Sequence, residues 1–120
     1  MLADALGDLL DSVEVVVDHY QPATASPLDT PLWDVLRATT SRLVPGAGIV
    51  PFQATGACDA RFFRSLGTTA YGYALFSDRV GFADYSAMLH GDNERVDLRS
   101  LDLCSKLWPA VARDLLDAPA

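Results

Sequence analysis

Apolar residues recur at intervals of three or four along four stretches of the chain, the spacing of an amphipathic helix. Local signals place two of the helix starts: Pro31 fits the first position of a helix capped by Thr30, and Asp97 is a plausible cap of the last helix. Pro109, inside that last helix, predicts a kink or a displaced start. The pattern therefore predicts helices over about 2–10, 31–43, 60–66 and 98–116.

Three other stretches are rich in β-branched and aromatic residues and predict strands: VEVVVDHY (13–20), IVPFQA (49–54) and TTAYGYALF (68–76). The segment 49–76 then forms a strand–helix–strand unit. A crossover of this kind joins two parallel strands, which predicts the α/β class. SDRVGFADYSAM (77–88) is predicted to be an irregular loop, and the proline-containing QPATASPLDTP (21–31) marks a domain boundary or crossover.

Composition narrows the function classes. The chain has 120 residues, half of them hydrophobic, and a net charge of −7, so it predicts one globular domain without the basic surface that nucleic acids or anionic membranes require. No apolar run approaches the ~20 residues that span a bilayer, and no positive charge precedes the first apolar positions. With only two cysteines, a cytoplasmic location with reduced thiols is predicted.

The turn TGACD (55–59) is the first candidate site. A glycine between a strand and a helix N-terminus lets backbone N–H groups bind an anion, so Gly56, Ala57 and Cys58 are candidates for contact with a substrate carboxylate or oxyanion. The structural alternative is a tight turn in which Asp59 caps the next helix. A cysteine hydrolase using Cys58 is a further alternative, and it requires a nearby base.

His90, within LHGDNERVDL (89–98), is the second candidate. A neutral imidazole is a common zinc ligand, and Glu94 could orient its second nitrogen or support the loop. The alternative is a histidine in a surface turn. Zinc needs at least three protein ligands, and the residues of this chain do not assemble three.

Together these stretches resemble part of a known family. PFQATGACDARFFRSLGTTAYGY, followed by LHGDNERVDLRSL and a closing helix, is similar to the C-terminal part of the co-catalytic zinc peptidases. That family includes aminoacylase, carnosinase, carboxypeptidase G and succinyl-diaminopimelate desuccinylase. The resemblance rests on a G-x-x-D-A-R-F turn, a gap of about 30 residues and an H-G-x-N-E-R-V motif, in that order.

The resemblance implies a fold and two domains. Residues 21–120 correspond to the C-terminal part of a three-layer αβα catalytic domain of the phosphorylase/hydrolase-like kind. Residues 1–20 correspond to the last helix and strand of an α+β lid or dimerisation domain, so a homodimer is an expected assembly.

The resemblance also implies roles for single residues. His90 matches the family's final zinc ligand, and Glu94 and Asn93 match the motif that supports it. Gly56, Ala57 and Cys58 match the turn that contacts substrate, although many relatives have Thr or Ser at the last two positions. Asp59 matches the residue that caps the following helix.

The family's remaining machinery lies outside this sequence. Relatives carry an upstream H-x-D, a bridging Asp and a Glu-Glu pair whose first member is the general base. This chain has only Glu14 and Glu94. The implied chemistry is attack on an amide by water held between two zinc ions, with cobalt or manganese as alternatives.

The sequence thus predicts the C-terminal segment of a zinc-dependent peptidase or amidohydrolase that acts on small peptides or N-acyl amino acids. The segment alone is expected to be inactive, with the rest of its own catalytic domain as a partner. The alternative is a non-catalytic binding or oligomerisation module derived from that fold, in which the edge of VEVVVDHY pairs with a second copy.

Overall fold

The computed structural model describes residues 2–18, 20–54 and 56–117. This part of the chain forms the helices α1 (Leu2–Leu6), α2 (Pro31–Leu43), α3 (Ala60–Ser65), α4 (Phe82–Met88) and α5 (Leu98–Leu116), with a 3-10 helix over Gly7–Ser12. The predicted first helix is therefore split. Gly7 adopts a φ of 50°, outside the right-handed helical region, so the α-helical part ends at Leu6.

The helices α2 and α5 pack against each other and form the core. Leu36 of α2 and Leu107 and Val111 of α5 are buried, together with Leu75 from the segment that crosses them. Arg42 on α2 and Asp114 on α5 are joined by an ion pair of 2.7 Å, and this hydrogen bond lowers the pKa of the Asp114 carboxyl.

Both predicted caps of these helices are present. The Thr30 hydroxyl accepts a hydrogen bond from the backbone N–H of Trp33, with Pro31 in the first turn. Asp97 accepts bonds from the N–H groups of Arg99 and Ser100. Helix α5 begins directly after Asp97 and contains Pro109, so the proline does not displace the helix start.

The three predicted strands do not form among the described residues. A strand requires a neighbouring strand to complete its hydrogen bonds, and 68–76 instead lies against the helix pair. Two of its backbone groups bond to side chains: the Cys104 thiol donates to the carbonyl of Leu75, and the Ser26 hydroxyl accepts from the N–H of Ala70. The α/β class and the αβα layers therefore stay predictions.

Helix α4 lies where an irregular loop was predicted, and that prediction is wrong. Gly81 precedes α4 with extended backbone, and its carbonyl accepts from the N–H of Tyr85. The negative charge of Asp84 in the first turn stabilises the helix, because it lies near the positive end of the helix dipole. The seven-residue length of α4 leaves too little periodicity for the sequence pattern to reveal it.

Arg64 of α3 holds the proline-containing loop in place. Its guanidinium donates to the carbonyl and hydroxyl oxygens of Thr24, to the Ser26 hydroxyl and to the carbonyl of Ala70. The Ser26 hydroxyl also accepts from the N–H of Ala70. One side chain thereby connects three parts of the chain: residues 24–26, helix α3 and the segment 68–76.

The chain buries little of its apolar surface. Its radius of gyration is 18.7 Å, against about 14 Å for a compact domain of this length. Its accessible surface is 9548 Å², against about 6,300 Å² for a folded monomer of this mass. Val16, Phe52, Leu66 and Leu98 are among the exposed apolar side chains. Within the described residues, no helix is long and apolar enough to cross a membrane.

Candidate metal-ligand turn and substrate turn

The turn that carries His90 follows α4 directly and has two residues in the left-handed region. His90 has a φ of 59° and Asn93 a φ of 61°, and Asn and His are among the residues that tolerate this conformation best. The N–H of Gly91 donates to the carbonyl of Met88 at 2.9 Å, which closes the turn at the helix end. The position of His90 is therefore set by a defined local conformation.

Glu94 supports the backbone of this turn. Its Oε2 accepts a hydrogen bond of 3.1 Å from the backbone N–H of His90. Of the two roles that the sequence left open for Glu94, support of the loop is the one seen. The carbonyl of Asn93 accepts from the Arg95 guanidinium, so Asn93 also contributes through its backbone.

The His90 residue is exposed, and the metal-binding surroundings it would need are not present in this part of the chain. No group of three or more His, Cys, Asp or Glu side chains that could hold a metal ion occurs among the described residues. Zinc sites use three or four protein ligands. The described residues therefore do not fit a complete metal centre, and no reaction step is assigned to one. The second histidine, His19, lies outside the described residues.

The turn before α3 is open to solvent. Gly56, Ala57, Cys58 and Asp59 are all exposed. Asp59 precedes α3 but has helical backbone angles, φ −67° and ψ −15°, and its side chain makes no capping bond. An N-cap needs extended backbone to bring its oxygen over the first turn, so the predicted capping role of Asp59 is wrong.

Neither of the two cavities beside α4 connects the two candidate turns as far as the structure describes them. The cavities described below include none of Gly56, Ala57, Cys58 and His90. Within the described residues, no hydrogen bond joins the Cys58 thiol to a base, so the arrangement that a cysteine hydrolase needs is not formed there.

Sequence reasoning missed the cavity between the 76–80 segment, α4 and residues 95–100. Its volume is about 230 Å³, and its apolar wall includes Phe76, Val80, Phe82, Tyr85 and Val96. The rings of Phe76 and Tyr85 lie 4.5 Å apart. The only sign of this cavity in the sequence was the presence of apolar residues in 77–88, a stretch that was predicted to be a loop.

One wall of this cavity is a network of hydrogen bonds around Asp97. Its carboxylate accepts from the hydroxyls of Ser77 and Ser100, in addition to the N–H groups that it caps. The Ser100 hydroxyl bond, followed by the backbone and Ser77 bonds, lowers the pKa of Asp97 from 3.8 to about 2 despite partial desolvation.

The depressed pKa predicts acid sensitivity. Because the folded pKa lies below the unfolded one, Asp97 stabilises the fold above pH 3.8, and this contribution is lost as the pH falls towards about 2. Asp97→Asn keeps a capping oxygen but removes the charge, so the unfolding temperature should depend less on pH over this range. Asp78→Asn, a neighbouring carboxylate in an exposed ion pair with Arg99, is the control and should retain the dependence. Equal pH dependence in wild type and Asp97→Asn would contradict this assignment.

A comparison with known protein families identifies the family of this chain. The chain belongs to the peptidase family M20/M25/M40, whose model matches residues 4–114. No curated protein and no solved structure matches the chain. The resemblance seen in the sequence is confirmed as far as this family of peptidases, and the activity of the family is hydrolysis. The narrower likeness to aminoacylase, carnosinase, carboxypeptidase G and succinyl-diaminopimelate desuccinylase stays a prediction.

Proposed function

We propose that this chain is the C-terminal part of the catalytic domain of a metal-dependent peptidase or amidohydrolase that acts on small peptides or N-acyl amino acids. The observation that carries the proposal is the family match over residues 4–114, which includes both candidate turns. In this proposal His90 is one metal ligand and the turn 56–58 lies near the substrate. Zinc is the proposed metal, and an imidazole also suits cobalt or manganese.

The geometry of the His90 turn supports this role. Two left-handed residues and the Glu94 bond fix the backbone, while the imidazole remains exposed. A ligand that completes a site with groups from elsewhere needs this combination of a fixed backbone and an accessible side chain. We propose that the other ligands and the general base belong to the rest of the same catalytic domain.

The large exposed surface supports the proposal that this chain packs against a further part of a larger protein. The accessible area exceeds that of a compact monomer of this mass by about 3,000 Å². A stable protein–protein interface buries about 1,600 Å² in total, so the excess is enough for an extensive contact. The segments 49–54 and 68–76, which are strand-like in sequence, would find their missing neighbours there. Both cysteines are free thiols, which fits the proposed cytoplasmic location.

The first test is the activity of the chain by itself. Purified to homogeneity and supplied with zinc, the chain is expected to hydrolyse neither dipeptides nor N-acyl amino acids, because one imidazole cannot hold a two-metal site. Amidase turnover that a chelator removes and zinc restores would contradict the proposed division of the site. Tryptic mapping of the same preparation controls for a contaminating peptidase.

A second candidate, a non-catalytic module that pairs with its own copy, is favoured by one observation. Val13, Val15, Val16 and Val17 are all exposed, in a stretch without helical structure. Such a segment is a template for edge pairing. A dimer that dissociates on dilution and is lost in Val16→Lys would favour this candidate, whereas a monomer at all concentrations would exclude it.

A further inference from the structure

The cavity next to α4 combines an apolar interior with a positively charged mouth. Val80 and Arg95 line it, and both also line a second, more open cavity formed with Arg79, Asp84, Ala87 and Met88. The two spaces are therefore adjacent and share a wall. An occupant of the first could extend past Arg95 into the second.

The polar side chains on the inner wall already bond to one another. The Ser77 and Ser100 hydroxyls both donate to Asp97, and the Ser100 hydroxyl also accepts from the N–H of Ser77. Asp97 also accepts from the two amides that it caps. What remains for a ligand is apolar surface, with the paired rings of Phe76 and Tyr85 on one side.

The mouth carries two arginines against one carboxylate, in a chain whose net charge is −7, and the ionised Asp97 on the inner wall already accepts four hydrogen bonds. Among the described residues, neither Arg79 nor Arg95 forms an ion pair, while nearby Arg99 is paired with Asp78. The one bond from the Arg95 guanidinium goes to the carbonyl of Asn93, which leaves its charge unneutralised. Asp84 is the single acidic residue that lines the outer space with the two arginines. Planar guanidinium groups bind carboxylates well.

We propose that this cavity binds a small carboxylate with an apolar body, an acid carrying one aromatic ring or a short acyl chain. The volume of about 230 Å³ is below the range of about 300–1,000 Å³ that holds drug-sized molecules, so a single ring or chain is the fitting size. The apolar body lies among Phe76, Val80 and Tyr85, and the carboxylate lies at Arg95, with Arg79 beyond it. This site needs neither His90 nor a metal.

The test compares 3-phenylpropionate with its neutral amide, 3-phenylpropanamide, as probes of the full 120-residue chain. Affinities are measured by ligand-observed NMR titration. The acid is expected to bind about tenfold more tightly than the amide, because only the carboxylate forms a charge-assisted bond with a guanidinium. Acetate, which lacks the apolar body, is expected to show no measurable binding.

Two variants test whether the preference for the acid comes from this cavity or from a general attraction of anions to positive charge. Arg95→Gln should remove the preference for the acid and leave binding of the amide unchanged. Arg61→Gln is the matched control, because Arg61 lies over the Phe62 ring and outside the cavity, and it should keep the tenfold preference. Equal binding of acid and amide by wild type, or a preference that survives in Arg95→Gln, would overturn the proposal. Because neither probe reports hydrolysis or metal binding, failure here leaves the proposed function untouched.

Discussion

In the larger peptidase that we propose carries this chain, His90→Asn is expected to lower turnover of dipeptides or N-acyl amino acids by at least about 100-fold, since loss of even the outer partners of a metal site costs about 10–100-fold. Asparagine is the informative replacement because it tolerates the left-handed backbone that His90 adopts at φ 59°. Alanine would add backbone strain to the loss of the imidazole. Steady-state rates and the metal content of each variant are the measurements.

Glu94→Gln is the control for this experiment. The amide oxygen of Gln can still accept from the N–H of His90, so the turn should persist and the loss of turnover should be much smaller than for His90→Asn. Thermal unfolding of His90→Asn should match wild type, because the residue is exposed. A His90→Asn enzyme with full metal content and wild-type turnover would show that His90 is not a ligand.

Leu107→Ala is expected to lower the free energy of unfolding of the chain by about 2–5 kcal/mol, the range for removing a buried leucine side chain. Leu107 has 0% of its surface exposed and lies at the contact between α2 and α5. Domains of ordinary size have only about 5–15 kcal/mol of total stability. Because only four buried apolar residues occur in the part of the chain that the structure describes, this variant should lose most of its folded population.

Leu116→Ala is the matched control for Leu107→Ala. Leu116 lies on the same helix with 84% of its surface exposed, so the same chemical change should alter stability by no more than about 0.5 kcal/mol. Urea denaturation followed by circular dichroism measures both variants. Equal effects at the two positions would mean that α5 does not pack on α2 in solution.

The features that the sequence predicted well are those decided by neighbouring residues. Thr30 with Pro31 and Asp97 before Leu98 are local caps, and the structure has both. The same rule predicted that Asp59 caps α3, and that prediction was wrong. The backbone of Asp59 is helical, which the residue type alone does not reveal. The left-handed conformation of His90 was likewise not readable from its flanking residues.

The features that the sequence predicted poorly depend on distant partners. The valine-rich and aromatic segments have the composition of strands, but a strand forms only beside another, and 68–76 bonds instead to the side chains of Ser26 and of Cys104 on α5. The cavity beside α4 joins residues 76–85 to 95–100, and its closure depends on how those segments meet. The proposed role of His90 as a ligand rests on the family resemblance, because a single histidine without other ligands nearby is equally typical of a surface turn.

The most direct test of the central claim is the intact mass of the native protein, recovered from its source with an antibody raised against this chain. If His90 belongs to a metal site completed by the rest of a catalytic domain, the recovered species should be several-fold heavier than 12.9 kDa and should contain this sequence by peptide mapping. A native species of 12.9 kDa without a partner chain would contradict the account. The second candidate, a module that pairs with its own copy, would then be the one to pursue.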